Sequence, residues 1–187
     1  MLHTARTRLR PWQPADAPAL LALMQNDQPR FSPYFPKTLA AVHYAASATV
    51  FVEQKRREWD ARQAFQLGIW LPDDPRCAGW ISLKSLEWTV PKAELAYLLA
   101  GWAEGQGLLA EVGPAVLHWA FTGLGLTRIY CRVNPTNTRS IRLVERLGFQ
   151  REGLLRQDFR SGTGELADCC LYGLLAADFL AQTEETA

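Results

Sequence analysis

The sequence predicts one mixed α/β domain over residues 1–187, with helices set among the strands of a central sheet. Two observations predict it. Residues 64–100 fall into strand-length runs rich in β-branched, aromatic and leucine residues. Residues 93–153 then order a strand, a glycine turn, a helix, a strand and a second, polar-capped helix. A strand–helix–strand crossover of that length requires the strands at 93–100 and 127–133 to lie parallel.

The elements follow in order. Residues 6–12 read as a first strand, closed by Pro11 and Pro14. Residues 14–25 are helical, with Leu20, Leu21 and Met24 at helical spacing. Residues 27–36 read as a proline-rich loop carrying Phe31, Tyr34 and Phe35. A long helix is expected over 38–62, capped by Thr38, with Leu39, Val42, Ala46 and Val50 as its apolar stripe. Strands follow at 64–71, 77–88 and 93–100, the first two joined by a turn at Pro72-Asp73-Asp74-Pro75. Residues 108–124 form a helix in which Pro114 removes one hydrogen bond and bends the axis. In the strand at 127–133, Ile129, Cys131 and Val133 face one way and Arg128, Tyr130 and Arg132 the other. The helix at 137–147 stops at Gly148. A strand pair at 149–159 and 165–175 turns around residues 161–164, and residues 183–187 are expected to fray.

Composition narrows the class. A net charge of +1 gives no reason to expect direct contact with nucleic acid or an anionic membrane. No apolar run is long enough to span a bilayer, and Met1-Leu2-His3-Thr4 lacks the apolar core of a signal peptide. Four cysteines without Cys-x-x-Cys spacing fit a reduced, cytoplasmic, metal-free chain. His3, His43 and His118 have no convergent partners, so no metal site is expected.

Chemistry concentrates at Glu104-Gly105-Gln106-Gly107-Leu108-Leu109. From Gly105 the run fits the G-x-G-x-x-A dinucleotide fingerprint, but no acidic residue lies between Glu111 and Glu145 to hold a ribose. The turn also follows several strands, whereas a dinucleotide fold opens on it, and that reading is rejected. The alternative is a pyrophosphate-bearing acyl carrier. Small residues let the turn converge its backbone N–H groups, and the helix that starts there adds free N–H groups and a favourable dipole.

Glu94-Leu95-Ala96-Tyr97, Gly105-Gln106-Gly107, Asn134-Pro135 with Asn137 and Ser140, Leu147-Gly148-Phe149 and Glu152-Gly153 together resemble the GNAT superfamily of acyl-CoA-dependent N-acetyltransferases. Within it the chain resembles the RimJ/RimL type, which acetylates N-terminal amines of ribosomal proteins. The resemblance implies a central, mostly antiparallel sheet with one parallel, splayed strand pair flanked by helices. Acceptor-side helices would occupy about 14–62 and the acetyl-CoA-binding core about 93–153. It further implies that Leu98, Leu99 and Ala100 pair with the pantetheine arm. Backbone groups of Glu104, Gly105, Gln106, Gly107, Leu108 and Leu109 would hold the pyrophosphate. Asn137 and Ser140 would stand near the thioester. The chain departs from the family in Glu104, an acid where Gln or Arg is usual, and in Leu109, where a small residue is common.

For the chemistry, Ser140 is the candidate donor to the departing thiolate, with Tyr172 as the alternative, and Asp158 is the candidate base. A free α-amine has a pKa near ~8, so a carboxylate acting through water suffices. Glu94 reads as a surface charge and Glu111 as a helix-dipole acid. The expected partners are acetyl-CoA and an amine acceptor, a protein or peptide N-terminus, with the protein a monomer or homodimer. A small amine is the second option, and a non-catalytic CoA-binding module the option of another class. Acids and bases nearly balance over residues 16–62, which speaks against a polyamine. Trp88 or Trp102, if exposed beside the cleft, would mark a peptide groove.

Overall fold

The computed structural model describes residues 1–184. Its strands are β1 (Leu2–His3), β2 (Arg8–Pro11), β3 (Phe65–Trp70), β4 (Cys77–Glu87), β5 (Lys92–Leu99), β6 (Arg128–Val133), β7 (Gln150–Arg160) and β8 (Leu166–Leu175). They form one sheet in the order β1-β2-β3-β4-β5-β6-β8-β7. All neighbours are antiparallel except β5 and β6, which are parallel. The reason lies in the connections: hairpins join β3 to β4, β4 to β5 and β7 to β8, and a helical crossover joins β5 to β6.

Helices are α1 (Ala17–Asn26), α2 (Gln28–Phe31), α3 (Pro36–Ala41), α4 (Ala45–Asp60), α5 (Leu108–His118), α6 (Thr138–Arg146) and α7 (Ala176–Glu184). They cover both faces of the sheet. Phe35 packs on Trp80 at 5.2 Å between ring centroids, and Trp119, just after α5, packs on Phe65 at 5.5 Å. The β3–β4 register puts those two anchors on opposite faces. Leu9, Trp12, Leu20, Ile69, Leu117 and Ile129 are fully enclosed between the layers. β6 keeps the alternation read from its sequence, with Ile129, Cys131 and Val133 buried and Arg132 turned outward.

Several expectations need correction. The loop at 27–36 contains the short helix α2, which buries Phe31. The long helix expected over 38–62 is two helices, and Thr38 lies inside α3 instead of capping it. Val42 is buried in the core and leaves helical geometry, with φ of −126° and ψ of 78°. Ser47 Oγ then accepts from the backbone N–H of His43 and Tyr44, at 3.2 and 3.1 Å, and starts a new helix. The stripe shifts accordingly. Ala48, Phe51 and Val52 face the core, while Ala46 and Val50 are exposed. α5 runs through Pro114 and passes into a π-helical turn, Trp119–Gly123. β1 and α7 were not foreseen. Part of the fraying assigned to 183–187 falls on α7, which reaches Glu184, and residues 185–187 lie outside the described residues.

Candidate active site

The glycine turn is built as an anion cradle. Gly105 and Gly107 both have φ of +74°, and Gly107 is the N-cap of α5. The left-handed cap aims the first N–H groups of the helix outward, and the first to find a helical acceptor is Glu111, on Gly107 O at 3.1 Å. The side chain of Leu108 is buried and fixes the helix start. The cradle is open: a Cβ at Gly105 would meet nothing within 4 Å, and one at Gly107 only Arg6 Nη2 at 3.9 Å. Arg6 ties the rim. Its guanidinium donates to Glu111 Oε2 at 2.7 Å and to Gln106 O at 3.0 Å.

Glu104 does not stand beside the turn unpaired. It is ion-paired with Arg30 of α2 and, at 2.8 Å, with Arg139 of α6. Arg30 also holds Asp27 at 2.6 Å, and Asp27 accepts from the Gly101 N–H. Burial disfavours the Arg30 charge, but Asp27 and Glu104 together raise its pKa. The departure at Glu104 is thus compensated by two arginines from different helices.

Next to the cradle the sheet opens. β5 and β6 pair only at Lys92–Arg128, Ala93–Ile129 and Glu94–Tyr130, and they separate beyond Glu94. Ala100 N–H donates to Ala78 O at 2.8 Å, so Ala100 belongs to the β4 ladder. By antiparallel alternation Leu98 faces the same way. The backbone groups left facing the gap are those of Leu95, Tyr97 and Leu99. Of the expected run Leu98, Leu99 and Ala100, only Leu99 has this orientation.

A cavity occupies the opening. Its wall includes Leu95, Tyr97, Cys131, Val133, Asn137 and Ser140, and its other side Tyr34, Phe35, Lys84, Glu94, Arg132 and Phe159. Asn137 caps α6, accepting the Ser140 N–H on Oδ1 at 3.1 Å, which leaves its amide Nδ2 to donate elsewhere. The hydroxyl oxygen of Tyr97 is buried and makes no hydrogen bond of normal geometry, with Ser140 beside it. Burial raises the Tyr97 pKa, and Ser140 is near enough to offset part of that rise.

The cavity carries one charge array. Arg132 donates to both oxygens of Glu94, each at 3.1 Å, and to Asp158 at 2.7 Å, while Lys84 approaches Glu94 at 3.3 Å. Burial works against the Arg132 charge, but Glu94 and Asp158 hold its pKa above the ordinary value. Glu94 is therefore not a surface charge. Its side chain is 6% exposed, against 32% for Asp158, and Glu94 lines the cavity directly. A buried carboxylate needs such partners, because a lone one would be strongly disfavoured. Sequence reasoning missed this. The available signal was Arg132 on the outward face of β6, beside a β5 whose Glu94 pairs in parallel with Tyr130.

Tyr172 lies elsewhere. Its hydroxyl donates to Glu145 of α6 at 3.2 Å, and the residue does not line the cavity. Burial first, then Glu145, raises its pKa. Trp88 is 40% exposed at the end of β4 beneath Arg62, and Trp102 is covered by Arg76 at 4.1 Å, so neither marks a groove at the cavity. Among the described residues no cluster of His, Cys, Asp or Glu could hold a metal ion. Nor is any helix among them long and apolar enough to cross a membrane.

Comparison with known proteins agrees with this geometry. Residues 6–150 match the model of the acetyltransferase (GNAT) domain family. YoaA of Bacillus subtilis, an uncharacterized N-acetyltransferase, is 31% identical over 170 residues, covering 87% of this chain and 90% of that protein. The spermidine N(1)-acetyltransferase of Escherichia coli is 28% identical over 86 residues, 46% of either chain. Among solved structures, the ribosomal-protein-S5-alanine acetyltransferase of Vibrio fischeri superposes with a TM-score of 0.88 at 18% identity, covering 95% of this chain and 97% of that one. RimJ of Mycobacterium smegmatis, in complex with a CoA disulfide, superposes at 0.83 with 24% identity, covering 95% and 89%. A helix-capping glycine cradle, a parallel strand pair that parts beside Asn137 and Ser140, and a family match across most of the chain converge: the chain belongs to the GNAT family and is an acetyl-CoA-dependent N-acetyltransferase.

Proposed function

We propose that the acceptor is the α-amine of a peptide or protein N-terminus. The observation that carries this reading is the charge balance of the acceptor side of the cavity. Its one lining acid, Glu94, and Asp158 just beyond the lining are matched by Arg132 and Lys84, so it has no excess negative charge to collect a polycation. One ammonium group can be received at Glu94, and Tyr34, Phe35 and Phe159 offer apolar surface to a first side chain. The fold likeness to a ribosomal-protein-alanine acetyltransferase supports the same class. The partial match to a spermidine acetyltransferase favours the second reading, a small polyamine.

The residues fit acetyl-CoA. The open cradle at Gly105–Leu109 offers N–H groups to a pyrophosphate, and the free edge of β5 offers Leu95, Tyr97 and Leu99 to an amide-bearing arm. Acetyl-CoA supplies the activated acyl group. The chain's own residues position the amine, accept its proton and stabilise charge on the departing sulfur. In this reading Ser140 donates to the sulfur, and Asp158 or Glu94 receives the amine proton through water. Both carboxylates are held by Arg132, so either must draw the proton from within an ion-paired array.

Incubating a peptide and amine library with acetyl-CoA and following acetylation by mass spectrometry tests the acceptor. Acetylated peptide N-termini are expected, and acetylation confined to spermidine and related amines would reject the reading. Ser140→Ala is expected to lower kcat by about 10²-fold with little change in the KM for acetyl-CoA. Asp158→Asn and Glu94→Gln separate the two bases: the true base variant loses rate chiefly at the acidic end of the pH profile.

A further inference from the structure

One buried hydroxyl in the cavity makes no hydrogen bond of normal geometry, and Ser140 is the side chain close enough to interact with it. It belongs to Tyr97, which sits on β5 where that strand has left β6. A buried hydroxyl left so costs stability, and natural interiors rarely keep one without a use. It lines the cavity together with Ser140 and Asn137, the two residues whose place at the start of α6 puts them beside the gap. Tyr172, the alternative donor to Ser140 named from the sequence, is by contrast committed to Glu145.

From this we infer that Tyr97 is a catalytic residue whose hydroxyl donates a hydrogen bond to the thioester sulfur as the carbon–sulfur bond breaks. The inference rests on the acetyl-CoA reading above. In the step, the amine nitrogen lone pair forms the carbon–nitrogen bond. The carbon–sulfur bond then breaks, and its electron pair remains on sulfur. Tyr97 and Ser140 donate hydrogen bonds to that pair. The surplus proton on nitrogen leaves to a carboxylate or to water, and the sulfur afterwards takes a proton from solvent. Tyr97 acts as a donor and keeps its proton. An ordinary thiol ionises near ~8.5 and an ordinary phenol near ~10, so full transfer from phenol to thiolate would run uphill. Burial of Tyr97 widens that gap. A donor that meets charge only as the bond breaks acts on the transition state more than on the bound substrate.

Tyr97→Phe removes the hydroxyl and nothing else. If the hydroxyl served the fold, the variant would lose stability. Here the free variant is expected to melt at the wild-type temperature or a few degrees above it, because an unsatisfied group has been removed. Its kcat should fall by about 10²-fold with a KM for acetyl-CoA within about threefold of wild type. A second readout needs no acceptor. The ultraviolet absorbance of the thiolate of bound CoA, with the protein plus desulfo-CoA as blank, reports the pKa of the bound thiol. In the wild type it should lie below that of free CoA, and in Tyr97→Phe it should return toward the free value. A wild type that binds CoA without shifting its thiol overturns the inference while leaving the cofactor reading intact. So does a Tyr97→Phe variant with full kcat, or one whose lost rate tracks a lowered melting temperature. A wild type that binds no CoA overturns the cofactor reading and this inference with it.

Discussion

Arg132 on β6 donates through Nε and Nη2 to the two carboxylate oxygens of Glu94 on β5, each at 3.1 Å, at the point where the parallel strands part. The pair closes the bottom of the opening, where backbone pairing stops. Asp158 and Lys84 extend it on either side, so the array is both a structural stitch and the polar floor of the acceptor side.

Removing Arg132 would leave Glu94 buried beside Lys84 alone. Arg132→Ala is expected to destabilise the fold toward the lower end of the roughly 3–5 kcal/mol typical of a broken buried pair, because Arg132 is itself 33% exposed. Urea denaturation should show a lowered midpoint with an unchanged slope. The double variant Arg132→Ala with Glu94→Gln should recover part of the loss, since no unpaired charge remains. A double variant no more stable than Arg132→Ala would show that the arginine acts by packing.

Glu104→Gln should strengthen CoA binding. It removes a negative charge from the edge of the phosphate cradle, releases Arg139 and leaves Arg30 with Asp27 as its remaining acid partner. Each pair is partly exposed, with Arg139 at 84%, so a gain of about two- to fivefold is expected. Titration calorimetry at low and moderate salt checks this. The gain should shrink as salt rises, and acetyl-pantetheine, which lacks the phosphates, should show no gain.

Gly107→Asp should weaken CoA binding by about tenfold or more. The position has φ of +74°, which disfavours a side chain, and the new carboxylate would stand among the N–H groups meant for a phosphate. Unchanged affinity in calorimetry would place the pyrophosphate elsewhere.

Alkaline pH should unfold the protein through its buried acids. Burial pushes the Cys77 thiol up from 9.0 to about 12, and it raises Cys131 and Tyr97 as well. The unfolded chain ionises these groups first, so the native state binds more protons and stability falls as pH rises. For Cys77 the fall begins near 9 and continues to about 12. Below that window both states keep the proton and the group has no effect. Chemical denaturation from pH 8 upward should show the midpoint declining, less steeply in Cys77→Ala. Native Cys77 should resist alkylation at pH 8 and react once unfolded.

The cofactor half was legible in the chain because its signals are local. Gly107 needs a left-handed cap, Asn137 caps Ser140 within one turn, and β6 alternates with period two. These features follow from backbone geometry over a few residues, and they outlined the cradle, the crossover and the parallel pair. What only the tertiary structure decided were relations between residues far apart in sequence. Val42 sits in the core at the break between two helices. Glu94 changed from a surface acid to a buried one because Arg132, 38 positions later, arrives beside it. Glu104 is paired because Arg30 and Arg139 meet at it, and the Tyr172 hydroxyl is on Glu145, outside the cavity lining. Tyr97 could be seen as a buried donor with no hydrogen bond of normal geometry only once every neighbour was in place. Burial and charge pairing depend on the summed positions of several elements, and no window along the chain contains that sum.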